Sequence, residues 1–111
     1  MVGCSVIQPV AVIGQHGDVL VGSATAAISG GTFEVTNSTI TCRGTYNALL
    51  LTPDVNFSTV CNDGRQGIGT AIRDATGMGG RGTVSLDDGE IAQFIFGPEA
   101  GIFRPKKRPT P

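Results

Sequence analysis

The sequence predicts an all-β domain, antiparallel hairpins forming a small barrel or sandwich of about eight strands, and three observations carry that expectation. Segments such as Thr32-Phe33-Glu34-Val35-Thr36 alternate apolar and polar residues with a period of two, as a strand with one buried face requires. Seventeen glycines and no tryptophan point to many tight turns, because glycine weakens helices but supplies the positive φ that hairpins need. Asp-Gly pairs follow apolar runs at Asp63-Gly64 and Asp88-Gly89, a strong short-range hairpin signal. With 111 residues, 40% hydrophobic and 15% charged, the chain has apolar material for one core and too much to be disordered. It has no apolar run of the ~18 residues that would span a membrane as a helix.

The elements follow in order. Val10 to Ile13 and Val19 to Val21 flank a turn at His16-Gly17, which as a two-residue loop sets Ile13 opposite Leu20. Ser23 to Ile28 either extends that strand or forms a short helical turn, and Gly30-Gly31 ends it. Thr32 to Thr36 meets Thr39 to Arg43 across Asn37-Ser38, with Phe33, Val35, Ile40 and Cys42 on one face. Leu49 to Leu51 runs into Pro53 as a strand end or bend. A two-residue turn at Asp63-Gly64 places Thr59 opposite Ile68 and Phe57 opposite Thr70. Asp74 to Gly80 is too glycine-rich for strand or helix and reads as a mobile surface loop. The last hairpin is resolved by register: a three-residue loop, Asp87-Asp88-Gly89, gathers Val84, Leu86, Ala92, Phe94 and Phe96 on one face, whereas a two-residue loop separates them. The organisation expected is an N-terminal segment 1–9, one β domain over 10–103 and a basic, proline-rich tail 104–111.

Of the three cysteines, Cys42 and Cys61 fall in two segments that both read as strands, Ser38 to Tyr46 and Asn56 to Asn62, so neighbouring pairing brings them to bridging distance. A disulfide there is worth about 3 kcal/mol by chain entropy and implies an oxidising compartment; the alternative is two buried thiols. Cys4 is left over, and Met1-Val2-Gly3-Cys4 resembles the end of a bacterial lipobox, which implies lipidation of Cys4 and a periplasm-facing protein. No charged start and apolar stretch precede it, so the quartet is either the remainder of a signal or a chance pattern.

Residues 1–103 hold all nine acids against Arg43, Arg65, Arg73 and Arg81, a formal −5, while Arg104, Lys106, Lys107 and Arg108 place +4 on the tail. An acidic body is a poor nucleic-acid surface, so no nucleic-acid partner is expected, and the tail reads as an extended solvated segment. Gly77-Met78-Gly79-Gly80-Arg81-Gly82 has the letters of a dinucleotide-binding loop, but a strand rather than a helix follows it. His16 sits at a turn, and Asp63, Asp87, Asp88 and Glu90 lack metal-binding spacing, so neither catalysis nor a metal or other cofactor is expected. Arg43, Arg65, Arg73 and Arg81 either share a face as an anion or partner contact or are separate solvated side chains guarding strand edges.

Gly80-Arg81-Gly82-Thr83-Val84-Ser85-Leu86-Asp87-Asp88-Gly89-Glu90 followed by Phe94 and Phe96 resembles a MORN-type repeat, with a weaker echo at Asp63-Gly64, over about 35 residues. That resemblance implies stacked hairpins and an interaction or membrane-associated role. Cys42-Arg43-Gly44-Thr45-Tyr46 and Cys61-Asn62-Asp63-Gly64-Arg65, with the closing Asp88-Gly89 to Gly97 segment, are similar to small bacterial envelope lipoproteins. The expectation is therefore a non-enzymatic lipoprotein domain with a binding or scaffolding role, lipid-anchored through Cys4 in the periplasm or at the outer membrane. The alternative is a cytoplasmic or phage-related structural module whose basic tail docks onto a partner. No small-molecule substrate and no particular protein partner is indicated.

Overall fold

A computed structural model describes residues 5–27, 30–47, 53–75 and 79–108. Eight strands, β1 (Ser5–Ile13), β2 (Val19–Ala27), β3 (Gly30–Thr36), β4 (Thr41–Tyr46), β5 (Asp54–Cys61), β6 (Gln66–Arg73), β7 (Gly80–Leu86) and β8 (Ile91–Phe96), run antiparallel in sequence order and close into a barrel. Closure is the pairing of β1 with β8, from Val10↔Phe96 to Ile13↔Gln93, which leaves the barrel with no free edge along that stretch. A short 3-10 helix, Pro98–Ile102, follows β8 and buries Ala100 against Ala11 and Ile95 on the outer wall.

An eight-stranded barrel has an interior just wide enough for side chains to fill or to hold one small ligand. Here the filling is unequal. Phe33, Phe57 and Phe94 converge in the middle, with ring centroids 5.5, 5.2 and 4.4 Å apart, and Phe96 lies 6.4 Å from Phe94. Room for the rings comes from glycines on the neighbouring strands. Phe33 pairs with Gly44 and Phe57 with Gly69, and a Cβ at either glycine would stand 2.2 or 2.3 Å from the ring. Small residues against large ones across these strand pairs thus set both the packing and the register there.

Three hairpins at one end share a single geometry. In Gly14–Asp18, Cys61–Arg65 and Leu86–Glu90 the first residue's N–H donates to the fifth residue's carbonyl, and the fourth residue's N–H to the first's carbonyl. The fourth residue is a glycine at φ 91–93° in each case, so each loop is a type I turn closed by a left-handed glycine. The three-residue loop expected at Asp87-Asp88-Gly89 is therefore present, and Val84, Ala92, Phe94 and Phe96 are buried together. The two-residue loops expected at His16-Gly17 and Asp63-Gly64 are corrected. Ile13 faces Val19, with Leu20 opposite Val12, and Phe57 faces Gly69 while Ser58 faces Ile68. The slip of one residue turns β6 over, so that Ile68 and Ile72 point out, 72% and 54% exposed. The interior already holds three phenylalanine rings, and isoleucines on β6 would compete with them for the same space.

Further differences concern extent. Ser23 to Ala27 continues β2 as strand, β1 begins at Ser5 rather than Val10, and Gly80, expected in a loop, opens β7 opposite Phe96. Phe33, Val35 and Cys42 share the buried face as read, but the link between β3 and β4 is Asn37 to Ile40 rather than Asn37-Ser38 alone, so Val35 stands opposite Cys42 and Ile40 packs half-buried from the loop, whose Asn37 N–H donates to the Ile40 carbonyl. Leu49 to Leu51, Ile28 and Cys4 lie outside the described residues. Cys42 and Cys61 are direct cross-strand partners in β4 and β5 and are joined by a disulfide. The tail, expected to be extended and solvated, is exposed from Arg104 to Arg108 but lies against the outer wall: Phe103 packs, like Ile13 and Val21, on the Ala11, Ile95 and Ala100 cluster, and Lys106 exchanges two backbone hydrogen bonds with Val19 at 2.8 and 2.9 Å. The carbonyl and amide at the free side of β2's first residue supply the partner that an extended, proline-flanked segment lacks.

Candidate binding site at the open mouth

The two ends of the barrel differ because the residues that face inward differ. At the end where β1 begins and β8 finishes, the inward positions are Val6 and Gln8 of β1, Ala24 and Ala26 of β2, Tyr46 of β4, Val55 of β5 and Ala71 and Arg73 of β6. Mostly small or short, they leave the interior unfilled above the phenylalanine layer. The result is a cavity of about 230 Å³ whose floor is Phe33, Phe57, Phe94 and Phe96. A cavity of ~150 Å³ admits benzene, so this one has room for a ring with a short substituent or for a short acyl chain.

Polar groups converge only at the rim. Arg73, the last residue of β6, is the sole charged side chain among those lining the cavity; its own N–H donates to the carbonyl of Pro53 at 2.7 Å, which fixes the backbone beneath it. Tyr46 and Gln8 are half-buried beside it, while Asp54 and Asp74 are exposed. Burial raises the pKa of the Tyr46 phenol above its ordinary value, and the nearby Arg73 guanidinium acts in the opposite direction by favouring phenolate. An apolar well with one cation, one phenol and one amide at its lip suits a ligand with an apolar body and a polar or anionic head.

The chain has a single tyrosine and no tryptophan, so Tyr46 can be followed without interference. Its phenolate absorbance should titrate with a midpoint above 10.0, the ordinary value. The folded state then holds the proton more tightly than the unfolded chain, so this group's contribution is intact below about pH 10 and stability falls as pH rises toward the folded-state pKa. Replacing Arg73 by Gln should move the midpoint further up. A midpoint at or below 10.0 in the intact protein would show that Tyr46 is not buried at the rim.

The opposite end is closed by charge. Arg65 donates from Nε to Asp63 Oδ2 at 2.8 Å and from Nη1 to Glu90 Oε1 at 2.8 Å and Asp88 Oδ2 at 3.4 Å. Burial disfavours the Arg65 cation, but the hydrogen bonds and charges of these three carboxylates outweigh it and raise its pKa. Asp88 is held below the ordinary carboxyl value, chiefly by the hydrogen bond its Oδ1 accepts from the Glu90 N–H and also by Arg65 and Arg108. The four body arginines thus occupy separate places. Arg65 and Arg73 stand at opposite ends of β6, Arg43 pairs with Glu34 on the outer wall, and Arg81 pairs with Glu99 next to the 3-10 helix. His16 is an exposed turn residue.

Sequence reasoning did not find the cavity. Its signal was present in β6, where Gly67, Gly69, Ala71 and Arg73 alternate with Gln66, Ile68, Thr70 and Ile72, but the two-residue loop assigned to Asp63-Gly64 turned the wrong set inward. No protein-family model, curated protein or solved structure matches the chain.

Proposed function

We propose that this chain is a non-enzymatic binding domain that takes up a small apolar molecule with a carboxylate or similar head in the mouth of its barrel. The cavity of about 230 Å³, floored by phenylalanines with Arg73 and Tyr46 at its lip, carries this reading. Its place is the cell envelope of a bacterium, lipid-anchored through Cys4. The Cys42–Cys61 disulfide supports an oxidising compartment. β1 begins at Ser5, at the mouth end of the barrel, so a lipid on the preceding Cys4 would hold the mouth toward the bilayer, where amphipathic molecules concentrate.

Titration of the protein with benzoate, hexanoate and octanoate, read by Tyr46 fluorescence, tests the reading. A saturable change is expected for at least one acid, weakened about tenfold or more in Arg73→Gln, where the charge–charge hydrogen bond to the head is gone, and weakened likewise for the matching primary amide. A signal that stays linear to millimolar ligand, or one indifferent to Arg73, would overturn it. The anchor is tested separately by the intact mass of the protein from its host: a diacylglycerol on Cys4 supports it, and an unmodified Cys4 ends it.

A further inference from the structure

We propose that the barrel opens sideways along the seam between β1 and β8, and that the chain's own C-terminal segment, Pro98 to Arg108, is a strap across that seam which sets how often it opens. The opening gives the mouth cavity a side entrance, and in that respect alone the inference rests on the binding function proposed above.

The seam is the shortest join in the barrel. Four residue pairs hold β1 to β8, from Val10↔Phe96 to Ile13↔Gln93, against five to nine at every other strand pair among the described residues. At the mouth it stops at Pro9, whose carbonyl accepts the Gly97 N–H at 2.9 Å and whose ring nitrogen has no hydrogen to return. On the inner side Val6 and Gln8 of β1 and Phe94 and Phe96 of β8 line the cavity, so a seam that parts from this end downward uncovers it.

The strap is rooted in β8 and fastened beyond β1. Ala100, 2% exposed, is buried on Ala11 and Ile95, which are themselves partners across the seam. Phe103 packs on the same cluster, and Lys106 exchanges its two backbone hydrogen bonds with Val19 of β2. Arg108 Nη2 then lies 2.7 Å from Glu90 Oε1, just before β8, and 3.6 Å from Asp18 Oδ2, just before β2. Nine residue pairs join β1 to β2, so these two strands leave β8 together. That movement draws Val19 from Lys106 and Asp18 from Glu90, and the seam therefore opens only when the strap lets go. Arg104 to Arg108 are exposed, so freeing that stretch uncovers little apolar surface, and the ion pair at Arg108 is what chiefly resists it.

Backbone alternation makes the test specific. Val19 turns its N–H and carbonyl to Lys106, away from its β1 partner Ile13, so Ala11 and Ile13 direct their N–H groups to β8 while Val10 and Val12 direct theirs to β2. Amide hydrogen exchange is followed residue by residue by NMR in the full chain and its Arg108→Ala variant. Ala11, Ile13, Gln93 and Ile95 should exchange about tenfold or more faster in the variant, with Val10, Val12 and the amides between β5 and β6 unchanged. Equal exchange in the two proteins overturns the proposal, and so does an increase shared by Val10, Val12 and β5–β6, which marks a uniformly weaker fold.

A staple keeps the comparison decisive should Arg108→Ala unfold. Ile13→Cys with Gln93→Cys joins direct partners across the seam, about 5.5 Å apart at Cα and within disulfide reach. In the stapled protein Arg108→Ala should leave exchange at Ala11 and Ile95 unchanged; a tenfold rise there overturns the proposal. Release of octanoate, read by Tyr46 fluorescence, should be about tenfold or more slower from the stapled protein than from the unaltered chain. Equal rates place the route through the mouth and overturn the side entrance. Should octanoate bind neither protein, the binding function fails on its own test, and the exchange comparison decides the seam.

Discussion

Replacing Phe94 with alanine is expected to lower the free energy of unfolding by about 4 kcal/mol. Phe94 is 6% exposed and is the one ring that touches all three others in the central layer, with centroids 5.2 Å from Phe33, 4.4 Å from Phe57 and 6.4 Å from Phe96. Its loss removes both the transfer free energy of the ring and the contacts around it. The neighbours cannot close the gap, because strands on all sides of a closed barrel are held in register. For a domain of this length the whole stability is on the order of 5–15 kcal/mol, so the variant should stay folded only narrowly. In urea the midpoint should fall with the slope unchanged. Together with Phe33 and Phe57, the same ring lines both the mouth cavity and a smaller space of about 30 Å³, itself lined in part by Leu20, Val35 and Leu86, so the variant should also accept a longer apolar ligand than the native protein. A loss below about 1 kcal/mol would mean that the rings are not a packed layer.

Breaking the Cys42–Cys61 bond should cost about 3 kcal/mol on the chain-entropy account. The bond closes a loop with a sequence separation of 19 and ties the connection between β4 and β5, the barrel's longest link between consecutive strands. Both cysteines are buried, and five residue pairs still join the two strands without the bond, so a Cys42→Ala, Cys61→Ala protein should keep its far-ultraviolet circular dichroism. What should fall is the denaturation midpoint. An unchanged midpoint would show that the thiols are free in the native protein, and with that the argument for an oxidising compartment would go.

Much of the barrel was legible because its signals are local. The alternation in Thr32 to Thr36 sets a period, and the Asp-Gly pairs set turns, with no reference to the rest of the chain. Register at the last hairpin was legible as well, since only the three-residue loop joins Val84 and Leu86 with Phe94 and Phe96. The same argument failed at Asp63-Gly64, where both loop lengths leave an acceptable local pattern. There the apolar residues of β6 are the outward ones, and the inward ones are glycines and an alanine whose value lies in what they leave room for. A glycine that accommodates the Phe57 ring carries no hydrophobic signal of its own.

The binding site was lost for that reason. Arg73 and Tyr46 belong to strands joined only through the barrel, and Gln8 comes from a segment expected to precede the domain. The docking of the exposed tail was hidden for a related one: its prolines and cations describe a solvated segment, and nothing local places Val19, Asp18 and Glu90 beside it.

By itself, then, the sequence determined that this is an all-β chain of about eight antiparallel strands, near which residues it turns, and that Cys42 and Cys61 can meet, since each depends on residues near one another in the chain or on a period of two. The tertiary structure decided which face of β6 lines the interior, that β1 closes on β8, that Arg73 stands over a phenylalanine floor, and that Arg108 reaches two buried carboxylates. Those outcomes depend on how much volume is left inside a closed barrel and on charges from distant strands, quantities that no local segment contains.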